Sequence, residues 1–127
     1  MGDRGEKRRV VRKPPDEVVV AVKDVIHSLA EGDYETLEAD GRAGRLTADD
    51  LRDAIASYGR TLIIPPDEVL EEELVREAVL GGGEGNSWAL VANLWTVEER
   101  RSDLSLEATA EALSEGVRVS IADLHVM

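Results

Sequence analysis

The residue types in this chain that suit chemistry gather near its end. Asp123 and His125 stand two positions apart, so on a strand they share one face. A carboxylate beside an imidazole can orient the ring, favour its protonated form and move a proton. Asp103 is a third residue of suitable type. An enzyme built on this set would use His125 as general base, oriented by Asp103 or Asp123. His27 falls off the apolar stripe of its helix and reads as solvated. Cysteine is absent, which removes disulfides, thiolate metal sites and a cysteine nucleophile. Residues 39–51 have the outline of a calcium loop between two helices. With Gly44 at the turn and Asp50 at the last ligand position, however, the first, third and fifth ligands fall on Ala39, Gly41 and Ala43. Those oxygen ligands are missing, and no metal is expected. The run Gly81-Gly82-Gly83-Glu84-Gly85 lacks the Lys-Ser/Thr of a phosphate loop and opens no helix, so no cofactor is expected either.

The candidate pair closes the last of three predicted strands. Trp88, Leu90, Ala92 and Leu94 fall on one face at period two, and Ala89, Val91, Asn93, Trp95 and Val97 on the other. Both sets are mostly apolar, which predicts a central strand covered on both sides. Residues 98–103 read as a polar turn. Leu104, Leu106, Ala108 and Ala110 then alternate with Ser105, Glu107, Thr109 and Glu111, the pattern of a half-buried antiparallel strand. Propensity competes here, because residues 105–116 are rich in Ala, Glu and Leu, and Leu106, Ala110 and Leu113 also fit a helix face ended by Gly116. The alternation favours a strand. After a turn at Glu115-Gly116, Val117, Val119 and Ile121 alternate with Arg118 and Ser120 to make the third strand. Its parity then changes, since Leu124 and Val126 fall opposite to Val119 and Ile121. Either a bulge sits near Ala122-Asp123, or Asp123 and His125 point to the same side as the core residues.

The earlier part of the chain reads as helices. Pro14-Pro15-Asp16 suits a helix start, with an acid at the positive end of the dipole. Val18, Val22, Val25, Ile26 and Leu29 form its apolar stripe. Gly32-Asp33-Tyr34-Glu35 ends it and starts a short second helix through Leu37. Thr47 with Asp50 resembles a capping box, followed by Leu51, Ala54, Ile55 and Tyr58 at helical spacing and by Gly59 as a stop. Residues 60–64 form a short strand ended by Pro65-Pro66. Residues 67–79 fit a helix through Leu70, Leu74 and Ala78, while residues 74–80 also fit a strand leading to Trp88.

At 127 residues the chain is long enough for one domain that buries about two-thirds of its unfolded surface. With two Trp, two Tyr and no Phe, its core must be built from Val, Leu, Ile and Ala. Charge divides unevenly. Residues 1–13 hold six Lys/Arg against Asp3 and Glu6, a net of +4, which leaves −16 of the total of −12 to the rest. The expected organisation is a disordered basic arm at 1–13 and a single α+β domain at 14–127. A domain that acidic repels nucleic acid and anionic membranes and attracts basic partners. No apolar run reaches the roughly 20 residues of a membrane span, and the basic start lacks the apolar segment of a signal peptide. A soluble, cytoplasmic protein is expected.

A long helix ending in Gly-Asp-Tyr-Glu, a capped helix ending in Tyr-Gly and then an antiparallel sheet resembles the cone-shaped nuclear-transport-factor-two-like or SnoaL-like proteins. Leu94-Trp95-Thr96, Glu98-Glu99, Arg101-Ser102-Asp103-Leu104 and the ending Asp123-Leu124-His125-Val126 are also similar to a family of small bacterial domains with no assigned function. The bias toward Ala, Arg, Glu and Gly is that of bacteria with GC-rich genomes. The cone resemblance implies N-terminal helices packed on a curved antiparallel sheet of about four to five strands. It also implies a pocket at the mouth, a homodimer through the sheet, and a His/Asp pair for proton transfer, for which Asp123, His125 and Asp103 are the matching types.

Two functions fit this reading. The first is a non-catalytic acidic binding protein, an accessory or immunity-type inhibitor of a basic partner protein. It rests on the acidic domain and the lack of a catalytic signature. The second is a small-molecule enzyme of the cone fold, an isomerase, dehydratase or hydrolase using the His/Asp pair. Trp88 and Trp95 are the aromatic candidates for a ligand platform, although core positions suit both. Pockets are usually lined by aromatic side chains, and their scarcity favours the binding reading.

Overall fold

The computed structural model describes residues 14–80 and 86–126. The predicted arm at 1–13 and the glycine-rich connection at 81–85 lie outside the described residues. Helix α1 (Asp16–Glu31) begins after Pro15 with Asp16 and Glu17 in its first turn. It buries Val18, Val19, Val22, Val25, Ile26 and Leu29 on one stripe, each side chain contributing about 1.5–3 kcal/mol of apolar burial. Gly32 ends it in the left-handed region, at φ 76°. Helix α2 (Tyr34–Ala39) follows. Helix α3 (Ala48–Tyr58) carries the expected capping box: the Asp50 N–H donates to Thr47 Oγ1 at 3.0 Å and the Thr47 N–H to Asp50 Oδ2 at 3.0 Å. Strand β1 (Leu62–Ile63) is short. Of the two alternatives for 67–79, the helix holds as α4 (Asp67–Glu77), and only β2 (Val79–Leu80) is extended.

Three long strands complete the chain: β3 (Ser87–Thr96), β4 (Arg100–Leu113) and β5 (Gly116–Val126). All pairings are antiparallel, in the order β1-β3-β4-β5, with β2 also pairing with β3. The sheet curls into a half-barrel. Helix α1 crosses β4, β5 and β1, and α4 lies on β3. Between helices and sheet sits a core of aliphatic side chains with Trp88, including Leu90, Leu94, Leu104, Leu106 and Ile121. The fold is therefore α+β, with N-terminal helices on a curved antiparallel sheet.

Two local expectations are corrected. Strand β3 is central, but only its even-numbered side is covered: Ala89 is exposed and Val91, Asn93 and Trp95 are half-buried. Their side forms an open face away from the helices. The turn after β3 is also tighter than 98–103. It spans 97–99, and Arg100 opens β4 at φ 66°. The Glu99 N–H donates to Thr96 Oγ1 at 2.9 Å, closing the turn, and the Thr61 N–H donates to Glu98 Oε1 at 3.0 Å, tying the turn to the backbone before β1.

Residues 105–113 are strand, not helix. Cross-strand pairing on both sides and burial of Leu106, Ala108 and Ala110 against the helices override the helix propensity of Ala and Glu.

The sheet carries two irregularities. Between Asn93 and Trp95 the β3–β4 register shifts. There the Ser102 hydroxyl donates to the Leu94 carbonyl at 2.8 Å and accepts the Leu104 N–H at 3.1 Å. On β5, Ile121 pairs with Ala108 and Asp123 with Glu107, leaving Ala122 as the extra residue of a bulge.

Candidate functional site

The bulge decides where the chemically capable residues point. Leu124 pairs with Leu106 and is buried with the core, while Asp123 and His125 pair with Glu107 and Ser105 on the open face. The alternative in which Asp123 and His125 share the inner side with Val119 and Ile121 is therefore overturned. One inserted residue shifts the side-chain alternation by one, which keeps the apolar residue inside and sends its polar neighbours out.

The loop at 40–46 holds this bulge. The Ile121 N–H donates to the Arg42 carbonyl at 2.8 Å, and Arg45 Nη1 donates to the carbonyl of Ala122 at 3.0 Å. Gly44 lies against the same strand at φ 66°; a Cβ there would stand 2.4 Å from the Ile121 carbonyl oxygen. The segment that looked like a defective calcium loop is thus a cover for the β5 edge, a common way to protect unpaired strand backbone. Its glycine is required by close approach and by a left-handed backbone.

Across β4 and β5 this geometry gathers Glu107, Asp123 and His125. His125 Nε2 lies 2.7 Å from Glu107 Oε2 and 3.9 Å from Asp123 Oδ2. Asp123 Oδ1 accepts the N–H of Leu124 at 2.9 Å, which fixes the carboxylate while its other oxygen faces the ring. All three side chains are between one-third and one-half exposed. The hydrogen bond with Glu107 raises the His125 pKa above the ordinary histidine value, opposed by partial desolvation and helped by a backbone bond at Val126 and the Asp123 charge. Chemically the group can hold a proton between imidazole and carboxylate, or present one nitrogen and two oxygens to a cation.

Asp103 does not join it. Its side chain is exposed and its N–H donates to the Tyr58 hydroxyl at 3.2 Å. Among the described residues no ion pair or hydrogen bond links Asp103 to His125. Trp88 is buried in the core. Trp95 is half-buried on the open face, with the Arg100 guanidinium 5.4 Å from its ring centre and its own Nε1 buried without a partner. Glu107 is the member that sequence reasoning missed as a site residue. It was legible as an outward polar position of β4, but its partnership with His125 depends on the β4–β5 register, a non-local property.

A second polar cluster lies where α4 meets the sheet. Glu73 is only 4 % exposed. Its Oε2 accepts from Arg101 Nη2 at 2.9 Å and from the Asn93 N–H at 3.2 Å, and Arg101 Nη2 also donates to Asn93 Oδ1 at 2.9 Å. Acids are also concentrated along a groove of about 470 Å³ between α1 and α4. Asp16, Glu68, Glu71 and Glu72 line it with Val19 and Val75, and Arg76 stands beside them. Lys23 bridges the two helices through Asp67 at 2.7 Å.

Fold and site together define a small α+β half-barrel with an acidic helical side and a His–carboxylate cluster on the open face of its sheet. The chain belongs to the family described as Domain of unknown function (DUF7668), whose model matches residues 26–127. No curated protein and no solved structure matches it. Among the described residues no helix is long and apolar enough to cross a membrane.

Proposed function

We propose that this protein is a non-catalytic acidic binding protein, an accessory or immunity-type inhibitor that takes a basic partner protein. The observation that carries this reading is the α1–α4 groove, where four carboxylates surround the apolar Val19 and Val75. Val20 and Val69, on the same two helices, are 51 % and 42 % exposed. A surface with apolar contacts beside four carboxylates, with Arg76 as the one basic residue of the lining, fits a partner segment that presents Lys or Arg around aliphatic side chains. Charge of this kind speeds encounter and selects partners. The net charge of −16 outside the first 13 residues adds long-range attraction. A bacterial source accords with the compositional bias, and a cytoplasmic setting is part of the same proposal. The cone-like likeness and a homodimer through the sheet are part of it as well.

The test uses a synthetic amphipathic peptide rich in Lys and Arg, titrated into the full chain at low and at physiological salt. The reading expects saturable binding that weakens with salt and weakens at least tenfold in the triple variant Glu68→Lys, Glu71→Lys, Glu72→Lys. Equal affinity in the variant would overturn the groove as the docking surface.

One observation favours a second reading, a small-molecule enzyme that transfers protons. His125 sits at hydrogen-bond distance from Glu107, so the open face carries an acid–base pair without Asp103. In that case Glu107 orients the ring, and His125→Ala abolishes turnover while leaving the fold intact.

A further inference from the structure

We propose that Glu107, Asp123 and His125 form a binding site for one first-row divalent cation on the open face of the sheet. This goes beyond the acidic-groove reading and does not depend on it, since the two lie on different sides of the molecule. The three side chains each offer one ligand atom, and these atoms all lie within 4.8 Å of one another. Metal–ligand bonds of about 2.0–2.2 Å to imidazole nitrogen and carboxylate oxygen place donors roughly 3–3.5 Å apart, so an ion would draw the three side chains together through rotamer adjustments that their partial exposure allows.

Three features of the fold prepare the set. The first is the bulge at Ala122: without it Asp123 and His125 would face the core and never meet Glu107. The second is orientation, because the Leu124 N–H holds one oxygen of Asp123 and leaves the other toward the ring. Such supporting bonds fix ligand geometry in metal sites. The third is charge. Glu107 and Asp123 are direct cross-strand partners, and like charges directly opposite each other are destabilising. A cation between them removes that repulsion. A protonated His125 offsets it in part, whereas a divalent ion bound by a neutral imidazole balances both carboxylates.

The donor set selects the ion class. One imidazole with two carboxylates suits zinc, cobalt, manganese or ferrous iron, whereas calcium takes oxygen ligands alone. Three protein ligands on an exposed face leave the remaining positions to water.

The test is a titration of the chelator-stripped full chain with Co²⁺, read by visible absorption, and with Zn²⁺, read by calorimetry. The proposal expects one equivalent bound, with cobalt bands showing nitrogen and oxygen ligation. Affinity should fall at least tenfold in His125→Ala and in Glu107→Gln, with circular dichroism confirming the fold of each. Glu111→Gln is the control, since Glu111 lies on the same face but pairs with Arg118, and it should leave the affinity unchanged. No saturable binding at millimolar metal, or equal binding in His125→Ala, would overturn the site. Binding lost equally in Glu111→Gln would also overturn it, because the ion would then be attracted by general surface charge.

Discussion

Two polar clusters share strand β4, and they are built differently. Glu73 is buried, and its Oε2 accepts from Arg101 and from the Asn93 N–H. It joins α4 to β3 and β4 and leaves little capacity for anything else. Glu107 and Asp123 are half-exposed, stand opposite each other and, among the described residues, have only His125 between them. A buried acid paired with a guanidinium and a backbone N–H supports the fold. Exposed paired acids sharing one imidazole are under-neutralised, and that unmet charge is what a proton or a cation can use. The contrast separates a structural network from a candidate site without any appeal to residue type, since both contain a Glu and a basic partner.

The strongest way to break the contrast is to remove the device that creates the exposed cluster. Gly44→Val places a side chain against the Ile121 carbonyl at a left-handed φ. It should cost about 3 kcal/mol or more from backbone strain and overpacking together, measured by denaturant unfolding. The same variant should disturb the β5 bulge and hence His125, seen as a shift of its ring signals.

Glu73→Ala comes next. It leaves the part-buried Asn93 N–H without its acceptor and Arg101 without its carboxylate, with an expected loss of about 1–3 kcal/mol. His125→Gln should change stability far less, and a loss as large as that of Glu73→Ala would erase the distinction between the clusters.

The smallest effect is a pH dependence. The folded-state pKa of His125 is raised, chiefly by Glu107. Its contribution is therefore fully present below the unfolded value near about 6.5 and is lost as pH rises through the folded value. Wild type should lose stability relative to His125→Gln across that window. A flat difference between the two proteins would contradict the hydrogen-bonded pair.

Much of the fold was legible because its signals are local. Thr47 with Asp50, the stripe from Val18 to Leu29 and the alternation from Leu104 to Ala110 each specify an element from a few neighbouring residues. The covered side of β3 was legible as well. Its open side was not, because Val91 and Trp95 are apolar yet only half-buried. The site was half legible. The parity change before Leu124 showed that something happens near Ala122, but two conformations satisfy that pattern. What chooses between them is the docking of Arg42, Gly44 and Arg45 on β5 from nearly 80 residues earlier. Glu107 was hidden because its partnership with His125, 18 residues away, depends on register and not on composition. Asp103 attracted notice by type alone, and β4 directs it toward Tyr58.

The central claim is that the bulge brings Glu107 into direct partnership with His125 on the open face. Its most direct test is the His125 pKa measured by NMR titration in wild type and in Glu107→Gln. The account predicts a raised value in wild type that falls toward the ordinary histidine value in the variant. An unshifted value in wild type, or a raised value that Glu107→Gln leaves in place, would contradict it.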